Sequence, residues 1–548
     1  MLFICRQSGS AANMKSVKPI HRFLAVSLVA LCFFATAGLY AGSSSPAVLP
    51  AVPATVDTIN PGELRMHLSF LASEELGGRY TLSPGFQIAA RYLASHLEAY
   101  GFRGAGEHGS FLQTFELITS KVDSSKTSLE MTIGGKPATF SLGEAPPSFG
   151  SASGDVSGQI VFAGYGISSP AQKHDDYAGL DVKGKIVLIA SGSPTGIDSS
   201  KLAPTESGTS AALAHGAVGL LQLPPARFLQ FLKNKEATER FATRESVRLA
   251  KAGESKLPSM TLGPDAADKL LGTAGMNLKS ILETTEKKAP LQPKAFEASA
   301  HISIVSIQSR STTQNVAGIL EGSDPKLKDE YVTFSAHYDH LKTNANGQIY
   351  PGADDDGSGT VSVLAIARAM SVQRPKRSVL IIFHAGEELG LLGSEYNSDF
   401  APVVPLDKMV VDLNIDMIGR SKPEGDTQAE DQRLTDAHSI YLVGSNRIST
   451  ELHALSEDTN AEFQKLKLDY YYNDPENPER IYFRSDHWNY AKHGVPIIFY
   501  FDGVHVDYHK VTDTVDKIDF EKMTQVTRLV FETGWRIANL DHRLTKSN

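Results

Sequence analysis

Ser378-Val379-Leu380-Ile381-Ile382-Phe383-His384 runs into Ala385-Gly386-Glu387-Glu388, so an unbroken apolar stretch ends on a glycine and two adjacent acids. A half-exposed strand alternates apolar and polar residues; a run without alternation is a strand covered on both faces. The sequence on either side continues the theme. Upstream stand a strand at Tyr331–Ala336 and a helix at Ser358–Val372; downstream come strands at Met409–Asp416, Ile440–Gly444 and Val495–Phe501 and a closing helix near Lys517–Leu540. Strands alternating with helices predict an α/β fold, a three-layer αβα sandwich around a mostly parallel central sheet. Two helices are expected nearer the N-terminus. One starts at Pro61, with Leu64, Leu68 and Leu71 on one face; the other runs from Gly85 to Tyr100, burying Ile88, Ala89, Tyr92, Leu93 and Leu97.

In a sheet of this kind, ligand-binding residues gather beyond the carboxyl ends of strands. The polar outliers fall there. His337-Tyr338-Asp339 follows Tyr331–Ala336, Asp354-Asp355-Asp356-Gly357-Ser358-Gly359 leads into a helix, and Glu387-Glu388 follows Leu380–His384. Asp416 closes its strand, and His509 follows Val495–Phe501 after a short loop. Acids repeatedly placed after buried strands repel one another unless a cation sits among them. Two histidines with several carboxylates suit zinc or a similar divalent ion, and five ligand positions exceed what one tetrahedral zinc needs. Two ions sharing a bridging carboxylate use them all and leave one carboxylate over as a general base.

These motifs, in this order, resemble the M28 family of zinc aminopeptidases: His337-x-Asp339, Ala353-Asp354-Asp355-Asp356-Gly357-Ser358-Gly359, Gly386-Glu387-Glu388-Leu389-Gly390, Asn414-Ile415-Asp416-Met417 and Tyr508-His509, with Ser485-Asp486-His487 and Asp513-Thr514 alongside. The resemblance implies two Zn2+ ions per chain. His337 and Asp416 are then ligands of one, Glu388 and His509 of the other, and Asp355 bridges them, with Asp354 and Asp356 as its neighbours in the same turn. It also implies Glu387 as the general base toward a water shared by the ions and Tyr508 as a hydrogen-bond donor to the developing oxyanion. Asp339 would hold the His337 ring, whereas His340 and His505 have no family role and are expected to be structural or surface residues. The implied activity is that of a metallo-aminopeptidase removing N-terminal residues from peptides. The same scaffold also carries glutamate-carboxypeptidase-like and glutaminyl-cyclase-like enzymes and catalytically dead binding proteins. No Gly-x-Ser-x-Gly elbow and no His-Glu-x-x-His helix offers another chemistry.

Between the two parts of the expected peptidase domain, residues 61–120 and 301–548, residues 121–300 carry short β-type runs such as Gln159–Ala163 and Lys185–Ile189 between glycine-rich turns. This β-rich insert resembles a protease-associated (PA) domain over Asp175–Leu188 and Gly216–Leu220. Asp469–Pro475 concentrates aromatics and is expected to wall the substrate pocket, and Lys422–Asp436 is read as a solvated loop. Residues 1–41 hold Arg6, Lys15, Lys18 and Arg22 and no acid, then the apolar run Phe23–Leu39, the layout of a signal peptide, with 42–60 as a linker. Export to the periplasm or medium follows, with no stable membrane span once the leader is removed; an uncleaved leader would instead anchor the chain. Both cysteines, Cys5 and Cys32, lie in the leader. Among 548 residues, 62 acids outnumber 53 lysines and arginines, a net charge of −9, so the chain lacks the basic footprint that binds nucleic acid.

Overall fold

The buried strands pair as their apolar runs demand. In chain order the larger sheet contains β1 (Leu112–Val122), β2 (Ser246–Leu249), β3 (Ser306–Leu320), β4 (Tyr331–His337), β5 (Ser378–His384), β6 (Met409–Ile415), β7 (Ser439–Val443), β8 (Lys467–Asp469) and β9 (Ile497–Phe501). They lie side by side in the order β2-β1-β3-β5-β4-β6-β9-β7-β8, and Arg103–Gly104 adds a short pairing on β3. The computed structural model describes residues 49–148, 150–252 and 257–547; the proposed leader and both cysteines fall outside them. The four central strands β5, β4, β6 and β9 are mutually parallel, and every residue of β5 and β6 is buried. The sheet as a whole is mixed, because β3, β1 and β2 join antiparallel on one side and β7 antiparallel on the other. Strand β1 alternates exposed and buried positions over much of its length, and only an antiparallel edge leaves one face in water this way.

Five longer helices, α1 (Pro61–Leu71), α2 (Pro84–Ala99), α3 (Gly359–Val372), α4 (Thr450–Glu462) and α5 (Phe520–Asn539), pack together as one layer. Helix α5 approaches so closely that a Cβ on Gly534 would meet Phe334 Cζ of β4 at 2.3 Å and Leu413 Cδ1 of β6 at 3.1 Å. The alternate residues of β4 and β6, Ser335, Asp412 and Asn414, are bonded to one another and to Ser485, ahead of the short helix His487–Ala491. That helix and the turns at Leu392–Glu395 and Tyr396–Phe400 supply the third layer. On α2 the buried stripe is Phe86, Ala89, Ala90, Leu93 and Leu97. Ile88, expected inside, lies one step off that stripe and is 48% exposed. Residues 50–60 are packed: Trp535 Nε1 donates to the Ala51 carbonyl, Arg528 to that of Ile59, and Ile59 is fully buried.

The segment 123–305 leaves and returns at one place. Val122 pairs with Ser306, and the Asp123 amide donates to the Val305 carbonyl at 2.8 Å. Within it a separate seven-stranded sheet has its own core, including Phe162, Leu188, Leu221, Met260 and Ile302. The exception is β2, which comes from inside the segment yet pairs with β1 of the larger sheet.

Register decides what meets at the carboxyl edge. His337 is level with His384, Ser335 with Asn414, and Ile415 with Tyr500. The loops that follow β4, β5, β6 and β9 therefore emerge together.

Candidate metal centre

Each functional side chain is held by the backbone that precedes it. His337 ends β4, and its amide donates to Asp356 Oδ2 at 3.2 Å. Its ring Nδ1 is 3.1 Å from the Asp339 carbonyl, an acceptor only, so Nδ1 carries the proton and Nε2 is turned to the cleft. The Asp339 carboxylate was expected to do this work. It is 3.7 Å from Nδ1 and accepts instead from Thr81 Oγ1 and the Glu387 amide, so Asp339 orients His337 through its main chain and Glu387 through its side chain.

The three consecutive acids divide their tasks. Asp354 Oδ1 accepts from the Gly419 amide, and Asp356 accepts from the amides of His337, Gly359 and Met417. These two carboxylates tie the turn to the ends of β4 and β6. Asp355 faces imidazoles with both oxygens: Oδ1 lies 3.3 Å from His337 Nε2, and Oδ2 lies 3.1 Å from His509 Nε2 and 3.7 Å from His340 Nδ1. The Asp355–Asp356 peptide is cis.

Around Asp355 two clusters form. On one side His337 Nε2 is 3.6 Å from Asp416 Oδ1 and 3.8 Å from Glu387 Oε2. On the other, Glu388 Oε2 is 3.1 Å from His509 Nε2, and Glu388 Oε1 is 2.7 Å from His340 Nδ1. His340 is fully buried, which excludes the surface half of its structural-or-surface reading. His505 is also buried, 3.2 Å from Asp354 Oδ2, with Nδ1 accepting from the Asp507 amide; it supports the turn from behind. The position of His340 next to Asp339 was the available signal, but nothing in spacing alone says which way a third histidine turns.

The electrostatics call for positive charge. Burial pushes the Glu387 carboxyl up, and Asp416 and Glu388 push it further, to well above the ordinary range. Burial acts to lower the His337 imidazole, yet Glu387, Asp416 and Asp355 raise it well above its usual value; His509 is carried up to about 10 by Asp355 and Glu388 against the same burial effect. Burial opposes ionisation of Asp355 too, but His340, His337 and His509 hold it well below the carboxylate range. His337 Nε2, both ring nitrogens of His340, Asp355 Oδ2 and Glu388 Oε1 are buried without an aligned hydrogen bond among the described residues. Donor atoms of His337, Asp356 and Asp416 converge on one point and those of His340, Asp355 and Glu388 on another, a nitrogen and oxygen set that fits divalent cations.

The cleft above is lined by Asp355, Glu387, Asp416 and Tyr508, with Met417, Ile481, Phe499, Phe501 and Val504 as apolar wall and Arg484 on its rim. The Tyr508 ring stacks on that of His509 with centroids 3.8 Å apart. Tyr472 packs against Phe501, so the aromatic stretch 469–475 buttresses the wall from behind instead of lining it. The 422–436 loop is not wholly solvated either: Asp431, Leu434 and Thr435 are buried.

A sequence profile of Peptidase family M28 matches residues 315–534, the stretch that contributes every candidate ligand described above. Aminopeptidase YwaD of Bacillus subtilis (strain 168) is 29% identical over 242 residues, which is 43% of this chain and 47% of that protein. A protein named probable leucine aminopeptidase 2, of Aspergillus oryzae, is 29% identical over 238 residues, 43% of this chain and 42% of its own length. The chain thus spans about half the length of the curated relatives it matches. Among solved structures, an aminopeptidase from Aneurinibacillus sp. strain AM-1 superposes with a TM-score of 0.52 at 16% identity, covering 90% of this chain and 97% of that one, a likeness of fold.

Proposed function

The chain carries a zinc-peptidase domain of family M28, and on that premise we propose that it is a di-zinc aminopeptidase that removes N-terminal residues from peptides. The observation that carries the reading is Asp355, whose two oxygens face separate imidazole–carboxylate clusters, while Asp356 accepts backbone amides with both oxygens and Asp354 is divided between the Gly419 amide and His505. His337 and Asp416 would hold one zinc, Glu388 and His509 the other, with Asp355 common to both. Two bound cations would supply Lewis acidity toward the scissile carbonyl and a nucleophilic water at neutral pH.

The rest is done by the chain. Glu387 lines the cleft beside His337 with its amide fixed by Asp339 Oδ1 at 3.2 Å, which supports a role for its carboxylate in taking a proton from the attacking water and returning it to the departing amine. Tyr508 lines the same cleft, and its hydroxyl would donate to the oxyanion as it develops. A free substrate α-amine would sit beside the metal site, which favours cleavage at a free N-terminus. We further read the segment 123–305 as an accessory PA-like module and residues 1–41 as an export leader. Among the described residues no helix is long and apolar enough to cross a membrane.

Hydrolysis of aminoacyl-anilides, abolished by a chelator and restored by zinc, tests this, with N-acetylated substrates as the blocked control. Glu387→Gln should keep its zinc and lose about 10²–10⁴-fold in turnover. Unchanged turnover in that variant would remove Glu387 from its role.

A further inference from the structure

Arg484 is a basic residue in a cleft otherwise built from acids, aromatics and aliphatics. It follows the turn Ile481–Phe483 and lines the same space as Asp355, Glu387, Asp416 and Tyr508. Its side chain is exposed and makes no hydrogen bond or ion pair with a described residue. Its neighbours are engaged: the Arg480 guanidinium lies 4.8 Å from the Phe483 ring centroid and that of Arg447 lies 3.9 Å from the Tyr482 centroid.

The backbone that presents Arg484 is fixed on both sides. Its amide donates to the Ile481 carbonyl at 2.9 Å, Ser485 Oγ accepts from Asn414 Nδ2 at 3.0 Å, and buried Asp486 accepts from Ser394 Oγ. The side chain is therefore displayed from a rigid base at the mouth of the site.

Charge counting then decides what it is for. With two dications bound, the carboxylates of Asp355, Glu387, Glu388 and Asp416 are balanced and none is left over as a partner for Arg484. A planar, solvent-accessible guanidinium with no acid of its own, on the wall of the cleft, suits an oxyanion brought in by the substrate.

We propose that Arg484 binds a carboxylate of the substrate, so that this enzyme selects peptides with an acidic group close to the scissile bond. The proposal rests on the aminopeptidase reading above and adds a substrate class to it. The carboxylate has two sources, the side chain of an N-terminal Glu or Asp, or the C-terminus of a very short peptide.

Paired substrates differing only in charge separate them: glutamyl- against glutaminyl-anilide for the side chain, and Leu-Gly against its C-terminal amide for the terminus. The zinc-loaded wild type should favour the acid of one pair by about tenfold in kcat/KM, and the pair affected identifies the source. In Arg484→Gln that ratio should fall to about one, in Arg484→Glu it should invert, and Arg484→Lys should restore part of it. Calorimetric binding of glutamate against glutamine, and of glycine against glycinamide, reads the same ratios without turnover. Anilide hydrolysis with both ratios unmoved by Arg484→Gln would overturn the role of Arg484 and leave the aminopeptidase standing. Charge-selective binding lost in Arg484→Gln, with no hydrolysis of any substrate, would do the reverse.

Discussion

Arg79 shows how much of the site is held by residues that never touch it. Its side chain is 1% exposed and donates from Nε to the Tyr338 carbonyl, from Nη1 to those of Leu71 and Pro351, and from Nη2 to that of Gly352. It thus clamps the residue after His337 to the residues before the Asp354–Asp356 turn, and its charge offsets part of the acids there. A lysine keeps the charge but lacks the fork. Arg79→Lys should lose about 2–3 kcal/mol in urea unfolding, through carbonyls left without donors, and should retain less zinc after dialysis. The sequence could not declare this role. The ligand-type residues were legible because acids and histidines after apolar runs are costly unless they serve a cation. An arginine after two glycines, whose partners are main-chain oxygens of the preceding helix and of two distant segments, leaves no pattern. His340 is the same case: its type was visible, its direction was not.

At the scale of single elements, the turn into α3 is closely packed against the end of β6. A Cβ on Gly359 would meet Asp356 Oδ1 at 2.3 Å and the Ile415 carbonyl at 2.5 Å, and that carbonyl belongs to β6 and cannot yield. Gly359→Ala should cost about 1–3 kcal/mol in thermal or urea unfolding, whereas Gly272→Ala, with nothing within 4 Å of its Cβ, should be neutral or slightly stabilising. Strand β6 also carries Asp412, buried with one oxygen accepting from Ser335 Oγ at 2.7 Å and the other without a partner. Burial pushes its carboxyl from 3.8 up to about 8. A folded value above the unfolded one means that this group's contribution is fully present below about 3.8 and is lost as pH rises through about 8. Melting temperatures followed from pH 4 to 9 should therefore fall less steeply for Asp412→Asn than for wild type; parallel curves would show that Asp412 does not titrate in that window. The central strands were legible because both their faces are apolar. Strands β1 and β3 were not, since their outer halves are polar and their pairing joins residues from the two sides of a long insertion.

For the molecule as a whole, the adjacency of Val122 and Ser306 makes the segment between them separable in principle. Replacing 123–305 by a short turn should leave the parallel core and zinc uptake intact, because every proposed ligand lies outside it. The loss of β2 would bare the long β1 edge, so the shortened chain should associate more readily. Size-exclusion chromatography with metal analysis checks both halves of that expectation. The change of texture between the insert and its flanks was legible in the sequence, from short glycine-punctuated runs to strand–helix alternation. The return of β2 to the host sheet was not, because a four-residue strand has no signature that names its partner.

The β1–β3 ladder has one more consequence, for the order of events on the ribosome. β1 emerges long before β3 exists, and contacts between such distant stretches form slowly because so much chain must be brought together first. The first neighbour β1 can find is β2, which is synthesised earlier than β3 and lies on its other edge. The insertion thus offers the nascent β1 edge a partner until the rest of the sheet is made.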